Sequence, residues 1–364
     1  MRKGMERCRD ADSSVVNLAS VDAMMTRQQR FMNTRQGEQT MTDNDGLLYG
    51  YLLNGEGGGK RLDWDQVKQW QPQQGVLWMH LEYGDPVVQQ WVLHESGLDE
   101  ITAEALLAEE TRPRCMLSAT GLLLTLRGIN PNPAADPEDL VAVRVWSDGK
   151  RIISTRRRRL QAASDLAQAI EKSIGPRSAG EFVEALTDSM AERMGDVVDG
   201  VSDEVDDLEE AVLTMESYEL RPKIAELRRH AIGLRRYLAP QREAVSRLFN
   251  EKVEWLSEID RMRLRESADR TMRLVEDLDM IRERAVVVQE ELSSRLSEKM
   301  DRTMYVLSMV AAIFLPLGFL TGLLGINVGG IPGADYSGSF VIFSLILVLL
   351  VVIQIWLFKL KKWM

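Results

Sequence analysis

Two long runs without charge stand near the end of the sequence, and they constrain the fold more than any other feature. The first, residues 304–324, is 21 residues long, and the second, residues 340–358, is 19. A helix of the first length spans about 31 Å, which matches the hydrocarbon core of a bilayer. The link between them, residues 325–339, contains five glycines and one proline, which favour a turn over more helix. The sequence therefore predicts a transmembrane hairpin in a lipid bilayer.

Basic residues at the outer ends of the two runs predict how the hairpin is oriented. The link carries no Lys or Arg, whereas six basic residues flank the hairpin: Arg295, Lys299, Arg302, Lys359, Lys361 and Lys362. Because positive charge stays on the cytoplasmic side, we expect both termini in the cytoplasm and the link outside. Residues 1–45 have no apolar segment of the kind that a signal peptide needs, and we expect them to be a flexible extension.

The chain before the hairpin is polar and acidic. Residues 1–302 contain 42 Lys and Arg against 54 Asp and Glu, a net charge of −12. Nucleic acid is therefore not an expected partner, because binding it would need a basic face. His80, His94 and His230 have no second His or Cys at ligand spacing, so we expect no tightly bound metal or other cofactor.

Motifs of common enzymes are missing from the sequence. No nucleophile elbow, P-loop or HExxH motif appears, and GEGGGK at 55–60 lacks the spacing and the hydroxyl residue of a P-loop. This glycine-rich stretch is interpreted as a loop. The protein is therefore not expected to be an enzyme.

Residues 46–178 have the pattern of a cytoplasmic α/β domain. Helical patterns cover 86–96 and 99–108. Short apolar runs bounded by turn residues predict strands at 47–53, 75–81, 121–129, 140–149 and 151–156. An Asp-Gly pair between the last two strands predicts a hairpin, and several antiparallel pairs are expected.

Residues 179–302 predict a long helical stalk. Apolar residues three or four apart form one stripe: Phe182, Leu186, Met190, Met194, Val197, Val201, Val205, Leu208 and Val212. The opposite face is acidic, with twelve Asp and Glu between 181 and 210, whereas residues 221–247 hold eight Lys and Arg and two Glu. These opposite charges predict antiparallel pairing of an acidic helix with a basic helix.

A third stripe continues up to the membrane: Leu274, Leu278, Ile281, Ala285, Val288, Leu292 and Leu296. No Pro or Gly falls between 253 and 302, which predicts one helix of about 70 residues that continues into the first apolar run. Such a helix needs partner helices or sister subunits to bury its stripe.

Two charged clusters of the body each allow two interpretations. The acidic cluster, Asp203, Glu204, Asp206 and Asp207, is either a solvated helix face or a surface whose field attracts cations. The arginine run at 156–159 is either solvated or contacts structural carboxylates or lipid headgroups.

One face of the first apolar run is small or apolar and ends on an acid. Steps of three or four back from Gly325 give Gly322, Gly318, Leu315, Ala311, Ser308, Leu307, Met304 and Asp301. Close helix packing would explain the small residues alone. It does not explain the non-helical segment GINVGGIPG that follows, because irregular backbone at membrane depth must be buried in protein or line a cavity. The Asn327 carboxamide and the free carbonyls of Gly325 and Ile326 suit a hydrated divalent cation.

The segment FLPLGFLTGLLGINVGGIPG, residues 314–333, resembles the CorA superfamily of divalent-cation transporters, and within it the ZntB zinc-transport branch. Supporting segments are EETRPR at 109–114, STRRRR at 154–159 and RRYLAPQR at 235–242. The resemblance covers about residues 45–364. The family signature after the first span is Gly-Met-Asn, and Gly325-Ile326-Asn327 stands in its place here.

The resemblance implies a homopentameric funnel in the bacterial inner membrane, with an outer ring of second spans around five pore-lining first spans. Its segments would be a pore helix at 303–326, a periplasmic loop at 327–339, a second span at 340–359 and a cytoplasmic tail at 360–364. Gly325, Ile326 and Asn327 would form the selectivity ring. The absence of Met at 326 disfavours Mg²⁺ and favours Zn²⁺ as the transported ion, with Cd²⁺, Ni²⁺ and Co²⁺ also open. Proton coupling, which is proposed for the branch, stays open as well.

Two other functions stay open on the sequence. A magnesium or cobalt channel of the CorA type shares every feature except those of the branch. A membrane-anchored sensor or scaffold would instead have a generic loop and spans that serve packing alone.

Overall fold

The computed structural model describes residues 46–109, 111–214, 218–325 and 337–360. The chain divides into two compact units. The first comprises Met1–Ser202 and Arg229–Arg282, and the second comprises Asp203–Arg228 and Glu283–Met364. The extension predicted at 1–45 lies outside the described residues.

The first unit is built on a mixed sheet, which has seven strands among the described residues, in the order β2-β1-β3-β7-β6-β5-β4. The strands are β1 Leu47–Leu53, β2 Gly59–Arg61, β3 Leu77–Glu82, β4 Arg114–Leu117, β5 Leu122–Gly128, β6 Val141–Ser147 and β7 Arg151–Arg156. Strands β3 and β7 are parallel, and every other neighbouring pair in this sheet is antiparallel. The predicted α/β class and all five predicted strands are confirmed.

The predicted hairpin joins β6 to β7 through a turn at Asp148 and Gly149. The Asp148 carboxylate accepts hydrogen bonds from the backbone N–H groups of Lys150 and Arg151, at 2.8 and 2.7 Å. Gly149 has a φ of +89°, which a glycine adopts without strain. The sequence gives no sign of β2 and β4, because three or four residues are too few for an alternating pattern. The loop interpretation of 55–60 is wrong at its end, because β2 begins at Gly59.

Four short helices cover the sheet: α1 Trp64–Lys68, α2 Pro86–His94, α3 Glu100–Leu107 and α4 Gln161–Glu171. The two predicted helices, α2 and α3, are capped by Asp85 and Asp99, whose carboxylates accept from the N–H groups of Val87 and Thr102. Alternate residues of the strands enter two cores, one on each face of the sheet. In β3, Trp78 packs in one core and Met79 in the other.

Long helices form the rest of the chain: α5 Ala179–Thr214, α6 Leu220–Asn250, α7 Glu258–Gly325 and α8 Ser339–Leu360. The predicted continuous helix is confirmed, since α7 has 68 residues. Every residue of its predicted stripe from Leu274 to Leu296 is buried. In α5, Val197 is half-buried and Val198 is buried in its place.

The acidic helix α5 forms its ion pairs with α7. In the first unit, Glu184 pairs with Arg263 at 3.7 Å and Asp188 with Arg270 at 3.1 Å. In the second unit, Arg284 holds both Asp206 and Glu209. We expected the basic helix α6 to be the partner of these carboxylates, and for these four that expectation is wrong.

The arginines of α7 explain this partner choice. Arg263, Arg270 and Arg284 are spaced by multiples of seven residues, so they share one face of the helix. Another face of α7 carries acids, and Asp279 pairs with Arg235 of α6 at 2.7 Å. Helix α7 therefore presents one sign of charge to α5 and the other to α6.

Candidate functional site

The membrane segments lie in the second unit. Among the described residues, two helices are long and apolar enough to cross a membrane, Glu258–Gly325 and Ser339–Leu360. A core helix of a soluble protein would be mostly buried, but no residue in the most apolar window of either helix is buried. Large side chains such as Leu315 and Phe340 are 72% and 80% exposed. This exposure fits helices whose surroundings are lipid or further subunits.

One face of the membrane part of α7 is partly covered. Its half-buried residues recur at helical spacing: Met309, Ile313, Pro316, Leu317 and Leu320. A hydrogen bond ties α8 to this part of α7, because the Gln354 side chain donates from Nε2 to the carbonyl of Ala312 at 3.4 Å. Helix α8 therefore lies along this face.

The face that the sequence predicts to line a pore points away from α8. All eight predicted residues are exposed: Asp301, Met304, Leu307, Ser308, Ala311, Leu315, Gly318 and Gly322. At 100° per residue, the centre of this set lies about 180° around the helix from the centre of the half-buried set. The second span of the same chain therefore leaves the predicted pore face uncovered.

The glycines of this face have room for a side chain. Apart from the adjacent residues and the neighbouring backbone of α7 itself, no atom of the described residues lies within 4 Å of a Cβ built on Gly318 or Gly322. Elsewhere the fold does require a glycine, as at Gly233, where a Cβ would lie 2.5 Å from the side chain of Glu138. Packing between α7 and α8 therefore does not explain the small residues of the predicted pore face.

The three residues predicted to form the selectivity ring begin where α7 ends. Gly325 is the last residue of the helix. Ile326 and Asn327 lie outside the described residues, and so does most of the predicted loop at 327–339. The described structure thus brings the predicted pore face up to the first residue of the ring.

The four residues of the acidic cluster do not form one uniform surface. All four are exposed. Asp206 differs in that it accepts a hydrogen bond from Arg284, which also donates to both carboxylate oxygens of Glu209 at 2.9 and 2.8 Å. These hydrogen bonds raise the pKa of the Arg284 guanidinium. One member of the cluster is therefore engaged in holding α5 to α7.

Side chains that commonly bind metals are dispersed. Among the described residues, no group of three or more His, Cys, Asp or Glu is placed to hold a metal ion. His80 is fully buried, and burial lowers its pKa well below the usual value, with a smaller contribution from the charge of Arg156. The imidazole is thus neutral, and its Nδ1 lies 2.8 Å from the Ser154 hydroxyl.

The arginine run contacts structural carboxylates. Arg157 pairs with Glu109 at 3.1 Å, and Arg158 binds both oxygens of Asp139 at 2.7 and 2.8 Å. Sequence reasoning did not identify Arg144 and Tyr83, which lie next to this run in space. Their signal, a charged residue in an otherwise apolar strand, is visible in VAVRVWS.

Comparison with known proteins gives one family across most of the chain. The family described as CorA-like Mg²⁺ transporter protein matches residues 73–361. A protein of Pseudomonas aeruginosa, divalent cation transporter CmaX, is 42% identical over 326 residues, which cover 88% of this chain and 98% of that protein. Zinc transport protein ZntB of Yersinia enterocolitica is 36% identical over 321 residues, 87% of this chain and 96% of that protein.

Solved structures have the same fold. The structure of the full-length CmaX protein matches with a TM-score of 0.76 and covers 88% of this chain and 99% of that chain. The CorA magnesium transporter from Methanocaldococcus jannaschii matches with a TM-score of 0.74 at 17% identity, over 89% of this chain and 100% of that chain. At this identity, the match to the CorA structure shows similarity of fold alone.

Proposed function

Because the chain belongs to the family of CorA-like Mg²⁺ transporter proteins, and is thus a membrane transporter of divalent cations and not an enzyme, we propose that it transports Zn²⁺ through a pore lined by α7. This membership removes the sensor or scaffold alternative. The observation that carries the proposed pathway is the uncovered face of α7, which is small or apolar and lies opposite α8.

Several copies of the chain are needed to make this pore. One pair of helices cannot enclose a water-filled path, and a ring of α7 helices with α8 outside would turn the uncovered faces toward one axis. We propose five copies, with both termini in the cytoplasm and with Gly325, Ile326 and Asn327 as the ring at the outer end of the pore. Asn327 would contribute its carboxamide oxygen, and the other two their carbonyls.

The side chains of the pore face favour an ion that keeps its water. From Thr303 to Ala334 the sequence has no Asp, Glu, His, Lys or Arg, so the face offers a hydroxyl at Ser308 and otherwise apolar or small groups. Such a face cannot replace the inner water shell of a divalent cation. Between Asp301 and Asp335 the sequence has no carboxylate or His. Proton coupling, if the transport uses it, therefore has to involve Asp301, Asp335, the cytoplasmic body or water in the pore.

Zinc is favoured by the relatives named zinc transport proteins and by Ile326 in place of Met. A magnesium or cobalt channel is the second candidate function. The family description and the relative at 42% identity, which is named for divalent cations in general, favour it. In this second case Cd²⁺ and Ni²⁺ would not be preferred to Mg²⁺.

Ion flux into liposomes tests both proposals. The reconstituted full chain should transport Zn²⁺ faster than Mg²⁺ or Co²⁺, with a rate that responds to an imposed pH gradient. Asn327→Ala should reduce Zn²⁺ flux at least tenfold, a loss of about 1.4 kcal/mol, and leave the oligomer intact. Ser337→Ala, in the same link, is the matched control. Unchanged flux in Asn327→Ala would refute the ring, and faster Mg²⁺ flux would favour the second function.

A further inference from the structure

A basic cavity in the first unit is not used by the proposed transport mechanism. It has a volume of about 290 Å³ and lies at the edge of the sheet where β3, β5 and β7 end. Six residues give it its chemistry: Tyr83, Glu109, Arg127, Arg144, Arg157 and Arg158. Four arginines thus meet here in a body whose net charge is strongly negative.

The cavity lies where an α/β sheet tends to bind ligands. Strands β3 and β7 are the parallel pair of the described sheet, and Tyr83 and Arg157 directly follow their carboxyl ends. The Tyr83 N–H donates to the carbonyl of Arg156 at 3.1 Å, which fixes the two ends side by side. Ligands of open α/β sheets bind just beyond the carboxyl ends of parallel strands.

Arg144 has donors that the described part of the protein does not use. The side chain has no exposed surface, and its guanidinium carbon lies 4.7 Å from the centre of the Tyr83 ring. Its Nη2 donates to the carbonyls of Ala108 and Glu109 at the end of α3, and the Tyr83 side chain is a further polar neighbour. Among the described residues, Nε and Nη1 have no partner at hydrogen-bond geometry. A buried charge without an anionic partner is costly. The hydrogen bonds to the end of α3 use one nitrogen of the guanidinium, and they do not explain why the other two nitrogens are buried.

The other arginines differ in how far they are already engaged. Arg127 donates to the carbonyls of Thr111 and Leu140, and Arg158 is held by Asp139. Arg157 is 61% exposed and pairs with the carboxylate of Glu109, which is 75% exposed. The Glu109–Arg157 pair is therefore the weakest contact at the rim, and a stronger anion can displace Glu109 from Arg157.

We propose that this cavity binds a small anion that carries a phosphate group. A phosphate matches the paired donors of guanidinium groups and supplies more than one negative charge. The cavity is at the lower end of the size range of small-molecule sites, which fits inorganic phosphate or a phosphate monoester of nucleotide size. The anion would pair with Arg157 and, once it displaces Glu109, would reach the free donors of Arg144 behind the rim, and Tyr83 would form one wall.

Calorimetric titration of the full chain in a non-ionic detergent, without divalent cations, tests this site. The probes are inorganic phosphate, adenosine monophosphate and citrate. One saturable site per chain is expected for a phosphate probe. Equal affinity for both phosphate probes identifies the free ion as the ligand, and tighter binding of the nucleotide identifies a monoester. Binding of neither, or of citrate alone, would overturn the proposal.

Variants at the rim distinguish specific binding of phosphate in the cavity from general attraction of an anion to positive charge. Arg157→Gln should weaken phosphate binding about tenfold, the loss expected for a charged hydrogen bond. Glu109→Gln should strengthen binding, because it removes the competing carboxylate. Arg177→Gln, an exposed arginine outside the cavity, is the control for net charge. Equal weakening by Arg157→Gln and Arg177→Gln, or weakening by Glu109→Gln, would refute the site.

Arg144→Lys tests the buried donors directly. The substitution keeps the charge and removes the planar pair of N–H groups, so phosphate binding should be lost. Because this variant also weakens the end of α3, the two exposed rim variants decide the outcome if it fails to fold.

Discussion

His80 makes the stability of the first unit depend on pH. The ring is fully buried, stacks on Tyr49 with centroids 5.7 Å apart, and contacts Ser154. Burial lowers the pKa of His80 well below its value in the unfolded chain. Below about pH 6.5, His80 therefore binds a proton in the unfolded chain but not in the native state. The contribution of His80 to the free energy of unfolding is therefore fully present at neutral pH and is lost as the pH falls.

We expect His80→Gln to reduce this loss. In the wild type, His80 alone should lower the free energy of unfolding by about 1.4 kcal/mol for each pH unit below pH 6. Thermal unfolding followed by tryptophan fluorescence, at about pH 7.5 and pH 5.5, measures the effect, because Trp78 lies 6.1 Å from the His80 ring. His94→Gln, at an exposed position, should behave as the wild type. An unchanged pH response in His80→Gln would contradict the assignment.

Gln354 compensates for a proline in the first span. Pro316 has no N–H, so the carbonyl of Ala312, four residues earlier, has no partner within α7. The Gln354 side chain of α8 donates to that carbonyl at 3.4 Å. A polar side chain from a neighbouring helix is one of the ways in which a membrane helix tolerates proline. The hydrogen bond also fixes which face of α7 meets α8.

A double-mutant cycle tests this role. Gln354→Leu should destabilise the full chain by about 0.6–1.7 kcal/mol, the range measured for hydrogen bonds between membrane helices. In the background of Pro316→Ala, whose N–H can bond Ala312 itself, the same substitution should cost less. Ser344→Ala, elsewhere on α8, is the control for loss of a polar group. Equal costs of Gln354→Leu in both backgrounds, by thermal unfolding in detergent, would exclude the coupling.

Residues of this kind show where sequence reasoning ends. The roles of Arg144 and Gln354 depend on partners 35 or more residues away, Glu109 for one and Ala312 for the other. Periodicity predicts which face of an element is buried, but it does not predict which buried polar atoms meet. The isolated Arg in β6 could have been noted as unusual, although its surroundings could not.

At the scale of elements, the pairing of α5 with α7 divides the acidic cluster into two kinds of position. Asp203, Asp206 and Asp207 are all exposed, and Asp206 pairs with Arg284. Among the described residues Asp203 and Asp207 have no such bond, and we propose that they act on cations through their field alone. The engaged carboxylate contributes to helix packing, within the modest range of a half-exposed ion pair.

Neutralisation should therefore have different effects at the two kinds of position. Asp206→Asn should lower the free energy of unfolding by about 0.2–1 kcal/mol. The double variant Asp203→Asn, Asp207→Asn should leave unfolding unchanged and reduce ion flux, most strongly at low ionic strength, because salt screens the field. Flux into liposomes at two salt concentrations measures the second effect. A salt-independent loss, or none, would support a merely solvated face.

Elements with a long period were predictable, and short ones were not. The stripes of α5 and α7 predict these helices because each repeats over many turns. Helix α1 has five residues and β2 has three, so neither provides enough turns or alternations for a pattern. The choice of α7 as the partner of α5 depends on arginines far along the chain, whereas the prediction considered the nearest basic helix.

At the scale of the whole molecule, the two units have different chemistry. The first unit carries the buried sheet and the basic cavity. The second presents an uncovered face of α7, where a Cβ built on Gly318 or Gly322 meets no described atom apart from the adjacent residues and the neighbouring backbone of α7 itself. Several chains around one axis would make that face the wall of a pore. We propose that a chain of two spans specifies its assembly through this open surface.

Bulk added to the pore face should block transport without disrupting the assembly. Gly322→Leu places a side chain where a Cβ meets no described atom, so it should reduce Zn²⁺ flux into liposomes at least tenfold and leave the oligomer seen by size-exclusion chromatography unchanged. Val310→Phe adds bulk about 120° around the helix from the centre of that face, and its flux should stay near that of the wild type. Close packing between helices predicts the opposite for Gly322→Leu, namely an oligomer that dissociates as flux is lost. Flux that survives the leucine would place the ion path elsewhere.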